Sequence, residues 1–190
     1  MQFTELHNDQ VILKPLEESD IEGIFKVAAE PEIWTYLSVT LENIDDVKKY
    51  VKTALANKEK ESEFTFVIID SKTNEIIGST RFMDIDPNHN RLEIGSTWLT
   101  PAYWRTAINT NCKYLLLQYC FEILHLNRVQ IKTDHNNIRS QKAIERIGAQ
   151  KEGILRNHMI RKDGTIRDTV MYSITNEEWG EVKERLNRLL

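Results

Sequence analysis

No stretch of this chain stays apolar for long. The most apolar window, Tyr114 to Leu126, is broken by Gln118, Glu122 and His125, whereas a membrane-spanning helix needs about 20 predominantly apolar residues in a row. Nor is there a basic excess. The 25 Lys and Arg are outnumbered by 29 Asp and Glu, for a net charge of −4, which excludes a general nucleic-acid binder. Cysteine is scarce: Cys112 and Cys120 are the two present. They lie too far apart along one helix to bridge within it, and their scarcity points to a reducing, cytoplasmic setting. Glu5, His7 and Asp9 stand where a signal peptide would carry a basic start and an apolar run, so no targeting segment is expected. His7, His89, His125, His135 and His158 show no paired ligand spacing, and no metal is expected. Repeats, low-complexity tracts and linkers are also missing.

What is present is the composition of an ordinary globular domain, 190 residues with 41% hydrophobic and 28% charged, long enough to bury a full core as one unit over 1–190. Val11–Leu16 reads as an opening strand ending at Pro15. Ser19 or Asp20 caps a helix to about Glu30, and Pro31–Thr40 is a loop carrying Trp34 and Tyr36. From Asn43 the apolar positions Ile44, Val47, Val51 and Leu55 recur at helical spacing. Phe64–Ile69 and Glu75 to about Asp84 read as antiparallel strands across the turn Ser71–Asn74. After the turn Asp86–Asn90 comes the alternating strand Arg91–Leu99, then a polar turn, a helix Cys112–Leu126, a strand Arg128–Thr133 and a short helix Asn137–Ile147 closed by Gly148. Ala149–Ile160 and Ile166–Ile174 form a hairpin around Lys162-Asp163-Gly164-Thr165. Thr175-Asn-Glu-Glu178 is a capping box opening the last helix. The fold class is therefore α/β (α+β): one mixed, mostly antiparallel central sheet flanked by helices, with one βαβ crossover at its centre.

That crossover is the most informative part. Trp104–Asn111 runs straight into a helix, and a helix opening presents free N–H groups and the positive end of the dipole, a natural seat for a pyrophosphate.

Three segments carry a family resemblance over nearly the whole chain: Glu93-Ile-Gly-Ser-Thr-Trp98, Asn137-Ile-Arg-Ser140 with Ala143-Ile-Glu-Arg-Ile-Gly148, and Glu152-Gly-Ile-Leu-Arg156. In this order and spacing the chain resembles the GCN5-related N-acetyltransferases, and within them the bacterial group named for ribosomal-protein N-terminal acetyltransferases. The resemblance implies acetyl-CoA as co-substrate, held in a wedge between two splayed parallel strands, Arg91–Thr100 and Arg128–Thr133. Trp98, Leu99 and Thr100 would pair with the pantetheine arm. Arg105, Thr106, Ala107, Ile108, Asn109 and Thr110 would hold the pyrophosphate through backbone amides, with Asn137 and Ser140 near the pantetheine and the thioester. Two departures stand out. Most members carry glycines in the phosphate turn where this chain has Ala107 and Asn109. A left-handed Ala107 would cost about 1–2 kcal/mol and weaken CoA binding. Many members also place a tyrosine four residues after the serine, as acid for the departing thiolate; Ile144 stands there, leaving Ser140 as the expected donor.

Acetyl transfer needs a neutral amine. A lysine amine near pKa 10.4 is neutral to only about one part in a few thousand at pH 7, an α-amine near 7.7–8 to roughly a tenth. The peptide N-terminus is therefore the first acceptor expected, a small-molecule amine the second, and a CoA-binding protein without activity the third. Glu93 is the expected base, acting through water; the alternative is a solvent-side carboxylate paired with a neighbouring arginine. A backbone N–H near Leu99 would meet the oxyanion. Cys112 near a helix start could be a nucleophile with a lowered pKa, but Cys112, Leu116, Cys120 and Ile123 form a helical stripe expected in the core. Trp34, Tyr36, Trp98 and Trp104 either line an acceptor pocket or pack. Arg156, Arg161 and Arg167 on the last hairpin are expected on a solvated face rather than at an anion site, and a homodimer through the late hairpin and sheet edge is open.

Overall fold

The computed structural model describes all 190 residues. Its centre is one eight-stranded sheet: β1 (Leu6–His7), β2 (Val11–Pro15), β3 (Phe64–Asp70), β4 (Ile76–Asp86), β5 (Arg91–Leu99), β6 (Arg128–Asp134), β7 (Gln150–Ile160) and β8 (Ile166–Thr175). The spatial order is β1-β2-β3-β4-β5-β6-β8-β7. Every neighbouring pair is antiparallel except β5 and β6. β3 is buried along all seven residues, as expected of a strand covered on both faces.

Five helices flank the sheet: α1 (Ile21–Val27), α2 (Ile44–Glu59), α3 (Ile108–Gln118, continued by a wider π turn over Tyr119–Ile123), α4 (Ile138–Arg146) and α5 (Trp179–Asn187). None is long and apolar enough to cross a membrane. Asn43 caps α2, its side-chain oxygen accepting from the N–H groups of Asp45 and Asp46. Burial then follows the apolar stripe, with Val47 and Val51 inside. At α5 the expected box is half made: the Thr175 N–H donates to Glu178 at 2.8 Å.

Two cores result. On one face α3, α4 and α5 pack on the sheet around Phe82, Leu92, Leu116 and Tyr172. On the other, α1 and α2 cover the β2–β4 half with Trp34 and Trp98. Since α1 and α2 lie over the first half of the sheet, the second face of β5, β6 and β8 carries a polar floor instead of a helix.

Three expectations shift. α3 begins at Ile108, four residues before Cys112, because the Thr106 hydroxyl accepts from the Ile108 N–H at 3.3 Å and Asn111 already donates to Ala107 O at 2.9 Å. α1 is shorter, ending at Val27, and is preceded by a 3-10 turn over Glu18–Asp20. Ile123 leaves the core stripe for solvent at the π turn, while Cys112, Leu116 and Cys120 are fully buried.

Candidate functional site

The parallel pair is short. β5 and β6 are in register only over Arg91↔Arg128, Leu92↔Val129 and Glu93↔Gln130. Beyond Glu93, β5 stays with β4 while β6 runs beside β8. Ser96, at φ 47°, and the register shift between Ser79 and Arg81 on β4 turn β5 away from β6. A gap opens between two strands whose facing backbone groups have no strand partner.

Successive N–H groups along a strand point to alternate sides. Thr100 donates to Ile77 O on the β4 side, so Thr100 and Trp98 face β4, and Leu99 turns its N–H toward the gap. The Leu99 carbonyl is taken by Trp104 Nε1 at 2.8 Å. Of the three residues expected at the pantetheine arm, Leu99 is thus the one with a free backbone donor. Trp98 is a core residue, its ring 5.1 Å from that of Trp34.

The turn at the mouth of the gap differs from the expectation. Ala107 is right-handed, at φ −71° and ψ −10°, and bears no strain. The left-handed residue is Arg105, at φ 62°. Ile108, Asn109 and Thr110 are the first turn of α3 rather than a loop. The Asn109 and Thr110 N–H groups are among those a helix start leaves without an intrahelical partner. The Thr110 side chain faces inward and accepts from Arg146 of α4 at 2.8 Å. The anticipated weakening of phosphate binding at Ala107 therefore has no structural basis.

α4 closes the mouth from the other side. The Asn137 side-chain oxygen caps it by accepting from the Ser140 N–H at 3.1 Å, so Asn137 orients the helix. Ser140 is half-buried and its hydroxyl has no protein partner. The Arg139 guanidinium lies 4.1 Å from the Trp104 ring centre, joining the α4 start to the turn before α3 by a cation–π contact.

Glu93 stands at the apex, where β5 and β6 part. It is 2% exposed, which rules out the solvent-side arrangement, and its partners are Lys132 Nζ at 2.8 Å and Gln130 Nε2 at 3.0 Å, both on Oε2. Oε1 has no protein partner. It lies over Gly95, where an added Cβ would come within 2.9 Å of it. One carboxylate oxygen is anchored and the other is kept approachable by the missing side chain.

From Glu93 the polar floor continues along Gln130, Lys132 and Asp134 to Thr169 and Arg167. Asp134 is buried and accepts from Arg161 Nε at 2.7 Å, Arg161 Nη2 at 2.9 Å and the Asn136 N–H at 2.9 Å. Burial pushes its carboxyl up, but Arg161 and the Asn136 N–H outweigh this and hold it below the usual aspartate value. Arg161 and Arg167 are therefore not solvated-face residues: β8 carries Arg167 onto the floor, and Arg161 reaches Asp134 from the end of the hairpin.

The hairpin tip also reaches the Pro31–Thr40 segment. Lys162 Nζ donates to Trp34 O at 2.8 Å and Thr40 Oγ1 at 2.6 Å, and Tyr36 Oη donates to Asn136 O at 3.3 Å. These bonds roof one side of the floor. Trp34 is packed in the core and Tyr36 is at the rim.

Sequence reasoning missed Gln130, Lys132 and Asp134. Their signal was present as the strict alternation of β6, with Val129, Ile131 and Thr133 inward; which strand faced Glu93 was not. Cys112 is excluded as a nucleophile, since complete burial pushes its thiol up to about 12 and the thiolate is the reactive form.

Comparison with known proteins agrees with this geometry. A family model described as acetyltransferase (GNAT) domain matches residues 10–150. The chain is 30% identical over 173 residues to the uncharacterized N-acetyltransferase YoaA of Bacillus subtilis (strain 168), covering 90% of this chain and 97% of that one. It is 25% identical over 123 residues, 62% of this chain and 60% of the other, to the ribosomal protein uS5-alanine N-acetyltransferase of Escherichia coli (strain K12). Among solved structures, a GCN5-related N-acetyltransferase from Brucella melitensis superposes with a TM-score of 0.92 at 26% identity, covering all of this chain and 87% of that one.

Proposed function

The chain belongs to the acetyltransferase (GNAT) family, and from that premise we propose that it moves the acetyl group of acetyl-CoA directly to a primary amine, with a peptide α-amine as the first acceptor class. The observation that carries this reading is the gap opening beyond Glu93 and Gln130, with the Leu99 N–H turned into it and the unpaired first-turn amides of α3 at its mouth. The gap is of the kind an extended pantetheine arm fills as a missing strand, and the α3 start suits a pyrophosphate. Asn109 and Thr110 contribute as helix N–H donors, Ile108, whose N–H is taken by Thr106, opens the helix that carries them, and Arg105, Thr106 and Ala107 shape the approach.

The amine attacks the thioester carbon as Glu93 Oε1 takes its proton through a water. Oε2, held by Lys132 and Gln130, keeps the carboxylate in place. The Leu99 N–H, six strand residues or roughly 20 Å from Glu93, holds the pantetheine arm, and the tetrahedral oxyanion is met by a gap-facing β5 N–H closer to Glu93. When the C–S bond breaks, the CoA thiolate takes a proton from Ser140 Oγ, directly or through water, as the proton held by Glu93 passes through water to the serine, so that both side chains return to their starting states. An α-amine suits one carboxylate base, since about a tenth of it is already neutral at pH 7. The uS5-alanine acetyltransferase acts on such an amine by its name.

A second reading, a compact small-molecule amine, is favoured by one feature: the Lys162 bonds to Trp34 and Thr40 roof the floor and narrow the entry for a long chain. We place the protein in the cytoplasm, consistent with two free buried cysteines. A homodimer would pair along the outer edge of β7, where Ile154, Leu155 and Ile160 are exposed; sedimentation equilibrium tests it.

The first experiment is a calorimetric titration with acetyl-CoA, with free CoA and ATP as controls, followed by turnover of peptide and small amines. Micromolar, acetyl-CoA-selective binding is expected. Glu93→Gln should keep that binding and lose turnover roughly a hundredfold or more, and Ser140→Ala should slow turnover with binding kept. No binding at millimolar acetyl-CoA would overturn the reading, and unchanged turnover in both variants would overturn the site assignment.

A further inference from the structure

Arg167 has more hydrogen-bond donors than the protein uses. Its side chain, 14% exposed, lies on the polar floor next to Thr169, and Nε donates to Thr169 Oγ1 at 3.1 Å. The nearest carboxylate oxygen, Asp134 Oδ2, is 3.9 Å away, beyond hydrogen-bond length. That carboxylate is already occupied by two bonds from Arg161 and one from the Asn136 N–H. Glu93, at the other end of the floor, is held by Lys132 and Gln130. Neither Nη1 nor Nη2 of Arg167 has a protein acceptor, and Arg161 sets a like charge beside it.

The side chain is largely buried, yet both Nη atoms stay open to the solvent side of the floor, so the fork is free to exchange water for an incoming acceptor. Burial lowers its proton affinity from the usual arginine value, with Asp134 and Glu93 opposing and Arg161 adding. A planar fork is matched by two oxygens of one anion. Arg167 shares a face with the expected base: four strand residues, about 13 Å of rise, separate Gln130 beside Glu93 from Asp134, and the Arg167 side chain shortens that span by running back along β8 to Thr169, near enough for Glu93 to act on its charge. One acceptor molecule can therefore present its amine at Glu93 and another group at Arg167.

We propose that Arg167 is an anion-reading residue of the acceptor site, so that the preferred acceptor carries a carboxylate or phosphate several bonds from its primary amine. The proposal rests on the acetyl-transfer reading above and names the acceptor class within it. It accommodates a peptide with an acidic residue near its N-terminus and a longer amino acid or amino phosphate of matching reach alike, because the shared chemistry is a bidentate anion.

The test is steady-state acetylation of matched peptides with free α-amines: Asp against Asn at the second position, phosphoserine against serine there, and a dipeptide acid against its amide. The anionic member should have a KM lower by about ten- to a hundredfold. In Arg167→Gln the ratio within each pair should fall to near one, and Arg167→Lys, which keeps the charge but not the fork, should fall between. The pair with the largest ratio identifies the anion and its position. No preference in the natural protein, or a preference that survives Arg167→Gln, overturns the proposal. Should none of the amines be acetylated, the functional reading fails, and the anion site is judged separately by calorimetry with inorganic phosphate and with acetate. Binding weakened about tenfold or more by Arg167→Gln upholds it, and equal or absent binding in the two proteins overturns it.

Discussion

Replacing Lys113 with methionine is expected to stabilise this protein at neutral pH. Lys113 lies on α3 and is 6% exposed. Its ammonium donates to Thr97 Oγ1 at 2.8 Å and has no carboxylate partner. Burial lowers its pKa from 10.5 to about 8. At about 1.4 kcal/mol for each tenfold change in proton affinity, this drop corresponds to roughly 3 kcal/mol. The sign follows from proton counting. Below about pH 8 both folded and unfolded chains hold the proton, and the folded state bears the full penalty of a buried charge. Between about 8 and 10.5 the folded chain has lost a proton that the unfolded chain still binds, so stability rises with pH. Of the roughly 3 kcal/mol, about 2 should be recovered between pH 7 and 9.5. Methionine keeps the apolar stem and removes the charge, and Thr97 retains Thr80 as a partner at 2.8 Å. Urea unfolding followed by tryptophan fluorescence at pH 7, 8.5 and 9.5 measures both proteins. Lys113→Met should lead by about 1–3 kcal/mol at pH 7, with the lost hydrogen bond subtracted, and the lead should shrink as pH rises. A constant difference, or a variant less stable at pH 7, would show that the ammonium is paired or solvated and refute the reasoning.

Three further outcomes are expected. Gly95→Ala places a Cβ within 2.9 Å of Glu93 Oε1 and 3.0 Å of Met83 Sδ, so turnover should fall at least about tenfold while calorimetric acetyl-CoA affinity is kept; full turnover would remove Oε1 from the mechanism. Ala107→Gly should leave that affinity within about twofold, since Ala107 is already right-handed; a tenfold gain would mean that the turn becomes left-handed when CoA binds. Asp134→Asn should flatten the acid limb of thermal stability. The natural aspartate, held below its unfolded value by Arg161 and the Asn136 N–H against the cost of burial, stabilises above the unfolded pKa and loses this as pH falls through the folded one. Thermal midpoints from pH 7 down to 2 decide it, and parallel curves for the two proteins would sink the assignment.

Much of this protein is legible along the chain, because its local signals agree with one another. The Asn43 cap, the apolar stripe of α2, the Asp163-Gly164 hairpin and the alternation of β5 and β6 each act over a few residues, where periodicity and backbone preference decide. Spacing also marked the crossover from Arg91 to Ser140 and the helix start behind it. Boundaries were less legible where a side chain intervenes from nearby, as Thr106 does at the start of α3. Left-handed strain was anticipated at Ala107 and is carried by Arg105, because the conformation of a turn is set by where the helix begins.

The polar floor belongs to tertiary structure alone. Glu93 could be singled out as an acidic residue on a central strand, but its burial and its Lys132 and Gln130 partners depend on a parallel register that holds for three residue pairs and then stops. Arg161 and Arg167 looked like surface charges because alternation gives the side a residue takes and not what covers that side. Here the short reach of α1 and α2 leaves the face of β5, β6 and β8 without a helix, and the antiparallel return of β8 beside β6 carries Arg167 onto it. Sequence alone determined the kind and order of the main strands and helices, since those choices are local, while the ends of α1 and α3 and the short β1 were not set by it. Which charges meet was decided by sheet order and by where the helices end, distances that close only when residues tens of positions apart are brought together.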